Sequence, residues 1–371
     1  MGIKHFNDDN RKSMLMDLSE LGWNTTYREN IDESAIQKLI IGRVSRQNGK
    51  QYKVITQENE LNATLTNSYL KRIKDKSEIP VVGDWVGLNI NPDIKAYYIS
   101  MIFPRKNKLS RKVAGIKSEE QLIASNIDII FIVMGVDADY NLRRLERYLS
   151  MVSEIKAQPV IVLNKIDKNK DFERYLKDIE KISRDIPIVA ISAKDGSNIS
   201  GVLKYILPGK TIVLVGSSGV GKSTLINCLL GYSHQAVGET SKGNDKGRHV
   251  TSTRELIVLP NGGMIIDNPG IRELQLWSSG EGIVKSFEDI EELSTFCKYK
   301  DCRHEEEPDC AVKKAVDEGK MTIERLHNYQ KLIRENEYLN LRRNTYERRK
   351  KDKQFGKLCR QVHNIRKYKG N

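Results

Sequence analysis

Gly216-Ser217-Ser218-Gly219-Val220-Gly221-Lys222-Ser223 follows Asn164-Lys165-Ile166-Asp167 in this chain, and that order decides the fold. The first stretch fits the phosphate-loop pattern G-x-x-x-x-G-K-[ST] at every fixed position. An apolar, β-branched run, Thr211 to Val215, leads into it, and a helical run, Ser223 to Leu230, leads out. Strand, loop, Lys-Ser pair and helix agree, which a ligand-free glycine turn would not require. Glycines let backbone N–H groups converge on phosphate oxygens, and the helix N-terminus adds a favourable field. Lys222 is expected to reach the β- and γ-phosphates, Ser223 to hold Mg²⁺, and Thr224 to complete the nucleotide contacts.

Asn164-Lys165-x-Asp167 closes a second buried-strand pattern, Val160 to Leu163. Ligands bind outside the C-terminal ends of strands in open parallel sheets. The Asp167 carboxylate can accept from guanine N1–H and the exocyclic amine, and adenine offers neither donor there. Lys165 is expected to cover the base plane. Ser192-Ala193-Lys194, after Ile188 to Ile191, is expected to back the base. In an ordinary GTPase the phosphate loop comes first and the base-reading box late. Here the parts are rotated along the chain, so the fold expected is a circularly permuted GTP-binding domain.

The remaining nucleotide element is Asp267-Asn268-Pro269-Gly270. Asp267 is expected to hold Mg²⁺ through water, and Gly270 N–H to sense the γ-phosphate. Residues 238–253 are rich in Gly, Ser, Thr and charge and lack apolar periodicity, as a switch loop does. Its Mg²⁺ ligand is expected to be Thr251, with Thr253 second.

Strands alternate with helices from about 104 to 280, which implies a mostly parallel sheet covered on both faces. Before that, five short alternating runs between residues 40 and 102 suit a five-stranded barrel of the OB type. Arg43, Arg46, Lys50, Tyr52, Lys53, Lys71, Arg72 and Lys74 interleave charge with aromatics, as in barrels that bind oligonucleotides. A barrel that merely packs on the GTPase domain would also fit. Residues 1–34 are polar with one apolar patch around Leu15, Leu18, Leu21 and Trp23.

Cys297, Cys302, His304 and Cys310 offer three thiolates and an imidazole at the spacing of a structural zinc site. Four ligands leave no open position, so one structural Zn²⁺ is expected, its binding helping to fold a small region. The divisions expected are thus an extension at 1–34, an OB-type barrel at 35–103, the permuted α/β P-loop GTPase domain at 104–280, a mostly helical zinc-binding domain at 281–330 and a basic tail at 331–371. The tail carries fourteen Lys/Arg against four Asp/Glu, a net +10 of the chain's +13. It reads as an RNA-contacting arm or as a solvated charged tail.

GSSGVGKST at 216–224, Gly247-Arg248-His249-Val250-Thr251, Asp267-Asn268-Pro269-Gly270-Ile271-Arg272-Glu273 and the cysteine–histidine pattern together resemble the ribosome small-subunit-dependent, circularly permuted GTPase family, RsgA. The likeness runs from about residue 35 to about 325. Two departures are Asn268, where the family often carries Thr or Ser, and residues 1–34, an extension found in only part of it. The resemblance implies a GTPase that binds the small ribosomal subunit and its rRNA, checks late maturation, and leaves on hydrolysis. It also favours nucleic acid as the barrel's ligand and implicates His249 in catalysis.

Composition agrees. The net charge favours polyanionic partners. No run of eighteen apolar residues predicts a membrane span, and the N-terminal residues have no signal-peptide core. Five cysteines do not suggest a disulfide framework. A cytoplasmic monomer is expected.

Many GTPases place Gln directly after the D-x-x-G glycine to orient water. Here that residue is Ile271, which cannot. Either another group supplies the function, for which His249 is the nearest candidate, or GTP is a static cofactor. His249 could alternatively contact RNA or pack the switch. Two readings therefore stand: a subunit-stimulated GTPase with Lys222, His249 and Thr251 in the catalytic machinery, and an RNA-binding scaffold whose GTP is structural.

Overall fold

Seven consecutive buried residues, Ile129–Gly135, form an interior strand of the sheet. A run apolar on both faces suits a parallel strand covered by helices on each side. By contrast, Gln51–Thr56 alternates exposed or half-buried with buried residues, the pattern of a strand with one face in a small core. These two patterns separate the α/β sheet from the barrel.

The computed structural model describes residues 17–28, 31, 33–73, 75–112, 120–183, 185–234, 254–268 and 280–341. After a single helical turn, α1 (Glu33–Ile36), come the barrel strands β1 (Ile40–Asn48), β2 (Gln51–Thr56), β3 (Glu60–Leu65), β4 (Trp85–Asn91) and β5 (Ala96–Ile102), with α2 (Asn67–Arg72) between β3 and β4. Pairing runs β1-β2-β3-β5-β4 and returns from β4 to β1, closing the barrel. Only β3–β5 is parallel. Val44, Tyr52, Val54, Ala63, Val86, Leu88 and Ile99 fill it.

A polar pair, β6 (Lys108–Lys112) and β7 (Glu120–Ser125), which the periodicity does not reveal, leads into the α/β part. There β8 (Ile129–Gly135), α3 (Leu142–Ser153), β9 (Gln158–Asn164), α4 (Phe172–Ser183), β10 (Ile188–Ala190), α5 (Ile199–Leu203), β11 (Thr211–Val215), α6 (Lys222–Leu230), β12 (Glu255–Val258) and β13 (Met264–Asp267) follow. The sheet order is β10-β9-β8-β11-β13-β12, parallel except for the β12–β13 hairpin. The strands before the expected phosphate loop (β11), the expected base box (β9) and Asp267 (β13) are parallel, so their loops open at one edge.

The barrel and this sheet are joined. β1 pairs antiparallel with β12 at Arg46↔Glu255, which makes one eleven-stranded sheet. Residues from the expected extension enter the same core: Leu21 is fully buried, and Trp23 packs on Trp85 and Phe103 with ring centroids 4.8 and 4.9 Å apart.

Two expected members of the barrel's RNA face are instead interior. The Arg43 guanidinium is buried and donates to the carbonyls of Leu21 (2.6 Å), Gly83 (3.2 Å) and Asn126 (3.2 Å). Tyr52 is 2 % exposed, its hydroxyl accepting from Gln47 Nε2. Tyr52 points into the barrel on the alternating strand β2, whereas Arg43, beside the barrel-filling Val44, points to the carbonyls around Leu21, Gly83 and Asn126, a register that composition alone does not reveal. Lys53 pairs with Glu60 at 3.0 Å and Arg46 with Glu255 at 2.6 Å. Lys50, Lys71 and Arg72 are exposed, and Lys74 lies outside the described residues.

The described residues divide into two compact units, one within 1–111 and 121–276, the other within 112–120 and 277–371. The second is helical: α7 (Glu281–Ser286), α8 (Glu288–Ser294), α9 (Ala311–Asp317) and a helix α10 over 323–341. Its core is small, built on Ile283, Phe287, Ile290, Val312 and Leu326. Helix α10 crosses 330/331 without a break, and Leu332 packs into that core, so the first part of the expected tail belongs to this unit.

Candidate functional site

Asn164 is the centre of the candidate nucleotide site. It ends β9, is 2 % exposed, and bonds in two directions. Its Nδ2 donates to Val220 O in the phosphate loop at 2.9 Å, and its Oδ1 accepts from Ala193 N–H at 3.0 Å. One amide thus ties three loops together. Lys165 follows in the left-handed region (φ 67°) and turns its Nζ to Gly219 O at 2.6 Å. Asp167 Oδ1 accepts from Ser192 Oγ at 2.8 Å, which fixes the carboxylate that the base would meet. Ser192 and Ala193 are buried, whereas Lys194 is exposed.

The phosphate loop leaves β11 with Gly216, Gly219 and Gly221 at positive φ. A Cβ on Gly216 would fall 2.3 Å from Val133 O, and one on Gly221 2.3 Å from Asn164 Nδ2. No side chain fits at either place, so glycine is required by contact as well as by φ. Lys222 Nζ folds back on Gly216 O (2.8 Å) and Ser217 O (2.5 Å). Ser223 and Thr224 begin α6, with Ser218 at the exposed tip. Asp267 ends β13, half-buried, and the next residue, Asn268, has a buried Nδ2 that finds no partner among the described residues. His249, Thr251, Thr253, Gly270 and Ile271 lie outside the described residues.

Two groups that the sequence reading missed are Asp137 and Asp139, in the loop after β8. Asp137 bonds Lys165 Nζ at 2.8 Å, and Asp139 bonds Ser217 Oγ at 2.5 Å. The available signal was their position, directly after a fully buried parallel strand, where ligand loops occur.

In the second unit Cys297, Cys302, His304 and Cys310 meet, their four ligand atoms all within 4.8 Å of one another. Cys297 Sγ lies 3.7 Å from His304 Nδ1 and 3.9 Å from Cys310 Sγ, and His304 Nδ1 lies 3.3 Å from Cys310 Sγ. A tetrahedral zinc with Zn–S near 2.3 Å sets ligand atoms roughly 3.8 Å apart, so donors and spacing fit one such ion. Burial holds the His304 imidazole below its usual range, towards the neutral form that a metal ligand needs. Around the cluster, Gln330 Nε2 donates to His304 O at 2.8 Å, and the Glu307 carboxylate accepts from the N–H groups of Arg303 and Glu305, both at 2.8 Å. These backbone bonds bring Glu307 down to about 2.

Among the described residues no helix is long and apolar enough to cross a membrane.

Comparison with known proteins agrees with this geometry. A family model described as RsgA GTPase matches residues 102–277. A protein of Opitutus terrae named small ribosomal subunit biogenesis GTPase RsgA is 39% identical over 332 residues, covering 87% of this chain and 90% of its own. The protein of the same name from Methanosarcina acetivorans is 40% identical over 350 residues, covering 94% and 93%. The crystal structure of YjeQ from Thermotoga maritima superposes with a TM-score of 0.59 at 25% identity, covering 80% of this chain and 98% of that one. That of YloQ, a circularly permuted GTPase, does so with a TM-score of 0.57 at 23% identity, covering 82% and 98%, a likeness of fold.

Proposed function

Because the chain belongs to the RsgA family of small ribosomal subunit biogenesis GTPases, we propose that it binds the maturing small subunit with GTP, checks a late assembly state, and departs on hydrolysis. Asn164 carries the nucleotide half of this reading. It brings the base box, the Ser192-Ala193-Lys194 loop and the phosphate loop into one hydrogen-bonded unit. Asp167 then reads guanine, Lys165 covers the base, and Gly216 to Thr224 wrap the phosphates. Asp167 is exposed until a base covers it, and an acceptor enclosed by its base discriminates by orders of magnitude against a base lacking the donor.

Ser223, Thr251 and Asp267 would hold Mg²⁺, which supplies charge neutralisation at the β- and γ-phosphates. Lys222 Nζ donates to two loop carbonyls, and we assign it to the β- and γ-oxygens when GTP enters. Gly270 N–H senses the γ-phosphate. With Ile271 unable to orient water, His249 accepts the water's hydrogen and aligns it for attack. Turnover is therefore slow until the subunit aligns His249 with the water.

The cysteine–histidine cluster holds one structural Zn²⁺. The exposed Lys50, Lys71 and Arg72 of the barrel and the basic stretch beyond residue 341 meet rRNA. The protein works as a monomer in the cytoplasm, where thiols stay available for the metal. GTP hydrolysis measured alone, with small subunits, with large subunits and with naked RNA tests the whole reading. Multiple turnover stimulated by small subunits alone is expected. Equal stimulation by all three additions would reject the subunit check.

A further inference from the structure

Leaving β8, the segment Val136-Asp137-Ala138-Asp139 carries two carboxylates to which no nucleotide motif assigns a role. Asp137 Oδ2 accepts from Lys165 Nζ at 2.8 Å and from Lys168 Nζ at 3.2 Å, and its Oδ1 accepts from Asp139 N–H at 3.3 Å. The approach is close: a Cβ on Gly135 would lie 2.7 Å from Asp137 Oδ1 and 3.4 Å from Lys165 Cδ. Burial raises the Asp137 carboxyl, but the bonds from Lys165, Asp139 N–H and Lys168 outweigh it and hold the group below the usual carboxylate range. Two residues on, Asp139 Oδ1 accepts from Ser217 Oγ at 2.5 Å and pairs with Arg144 Nη1 at 3.0 Å. Arg144 Nη2 also donates to Asp139 O at 2.6 Å.

We infer that Asp137 and Asp139 are positioning residues for nucleotide binding, Asp137 holding Lys165 over the base site and Asp139 holding the phosphate loop at Ser217. One short loop then fixes the two halves of the site against each other. The inference rests on Lys165 covering guanine, as proposed above. Ordering a long side chain on binding costs rotamer freedom. Lys165 is bonded at both Asp137 and Gly219 O, so that freedom is lost before the nucleotide arrives. Two carboxylates beside a polyphosphate site would ordinarily repel the ligand. Here Lys165 and Lys168 neutralise one, and Arg144 the other.

The test uses the full chain, N-methylanthraniloyl-GDP and a double-mutant cycle. Asp137→Asn is expected to raise the Kd about tenfold, mainly through faster dissociation, because the bond lost is charge-assisted. On small subunits KM for GTP rises by a similar factor while kcat changes less than twofold. In a Lys165→Ala background the same substitution should add less than twofold, since residues acting through one contact are not additive. Full additivity, with the apo melting temperature falling in step, would make Asp137 a fold brace and overturn the inference. Should Asp137→Asn fail to fold, Asp139→Asn and Ser217→Ala provide a second cycle with the same criterion. Wild-type protein binding N-methylanthraniloyl-ADP as tightly as the GDP analogue would instead refute guanine recognition, a failure visible without any variant.

Discussion

Asn164→Ala is the substitution that should do most damage for its size. The amide bonds Val220 O at 2.9 Å and Ala193 N–H at 3.0 Å, and Asn164, Val220 and Ala193 are all buried. Removing it leaves one carbonyl and one N–H without partners in a dry place. Each such orphan costs about 1–3 kcal/mol. Some relaxation is available, because the phosphate loop lies at the surface, so about 3 kcal/mol is expected in total. For a unit of this size that lowers the apo melting temperature by roughly 6–12 °C. If nucleotide binding must restore the three-loop arrangement, the same energy appears as about a hundredfold weaker GDP binding. Thermal melts of the nucleotide-free protein and titration with a fluorescent GDP analogue measure both. Asn164→Asp is the control. It keeps an acceptor for Ala193 N–H but sets a carboxylate against the Val220 carbonyl, so it should bind nucleotide no better than the alanine variant. A melting temperature within 2 °C of wild type (about half a kcal/mol) and an unchanged Kd would show that the loops hold together without this amide.

His249→Ala should bind GTP and the small subunit nearly normally yet lose about 10²–10⁴-fold of the stimulated hydrolysis; wild-type turnover on subunits would place the water under another group's control. Purified protein should contain about one zinc per chain, and Cys302→Ser should lose it and destabilise the second unit while leaving GDP affinity intact; zinc-free wild type by elemental analysis refutes this. Truncation after Leu341 removes residues 342–371, which carry twelve Lys/Arg against two Asp/Glu, and should flatten the salt dependence of subunit binding measured by co-sedimentation; an identical slope makes the segment a bystander. Glu307 has its folded-state pKa depressed to about 2 from an ordinary 4.5, so its contribution is present above the ordinary value and fades as pH falls towards 2. Glu307→Gln should therefore reduce the stability of the second unit at pH 7 but not at pH 2, as read by acid titration of near-UV circular dichroism on both proteins.

The candidate nucleotide site is legible because each motif sits at the end of its own buried strand. Val160 to Leu163 before Asn164, Thr211 to Val215 before Gly216 and Met264 to Ile266 before Asp267 each announce both a strand and the edge where its loop opens. The cysteine–histidine cluster is legible from spacing alone, since its four residues fall within one short stretch. Asp137 escaped notice because a carboxylate after a strand has no motif; only the fold brings it to Lys165. The barrel's ligand face was misread at Arg43 and Tyr52 because a basic or aromatic residue on a short strand says nothing of which side it faces until the register is known. The burial of Arg43 also depends on carbonyls at Leu21, Gly83 and Asn126, far apart in sequence.

The union of barrel and GTPase sheet was the least legible feature, and it changes how the molecule should be handled. It depends on main-chain pairing at Arg46↔Glu255 and on side chains from three regions meeting around Trp85. A sheet of this kind has two edges that would otherwise offer unpaired backbone groups to other chains. One edge strand, β10, is only three residues long. The other, β12, is covered by β1 of the barrel. Cutting the chain at 103/104 would uncover β12 and strip Trp85 and Phe103 from the core that they share with Ile130 and Ile266. An isolated GTPase fragment would then report the cost of an exposed edge and an opened core as though it were a property of the nucleotide site. Measurements of GTP affinity and turnover on this protein therefore belong to the joined unit, in which the barrel is part of the fold that holds the site.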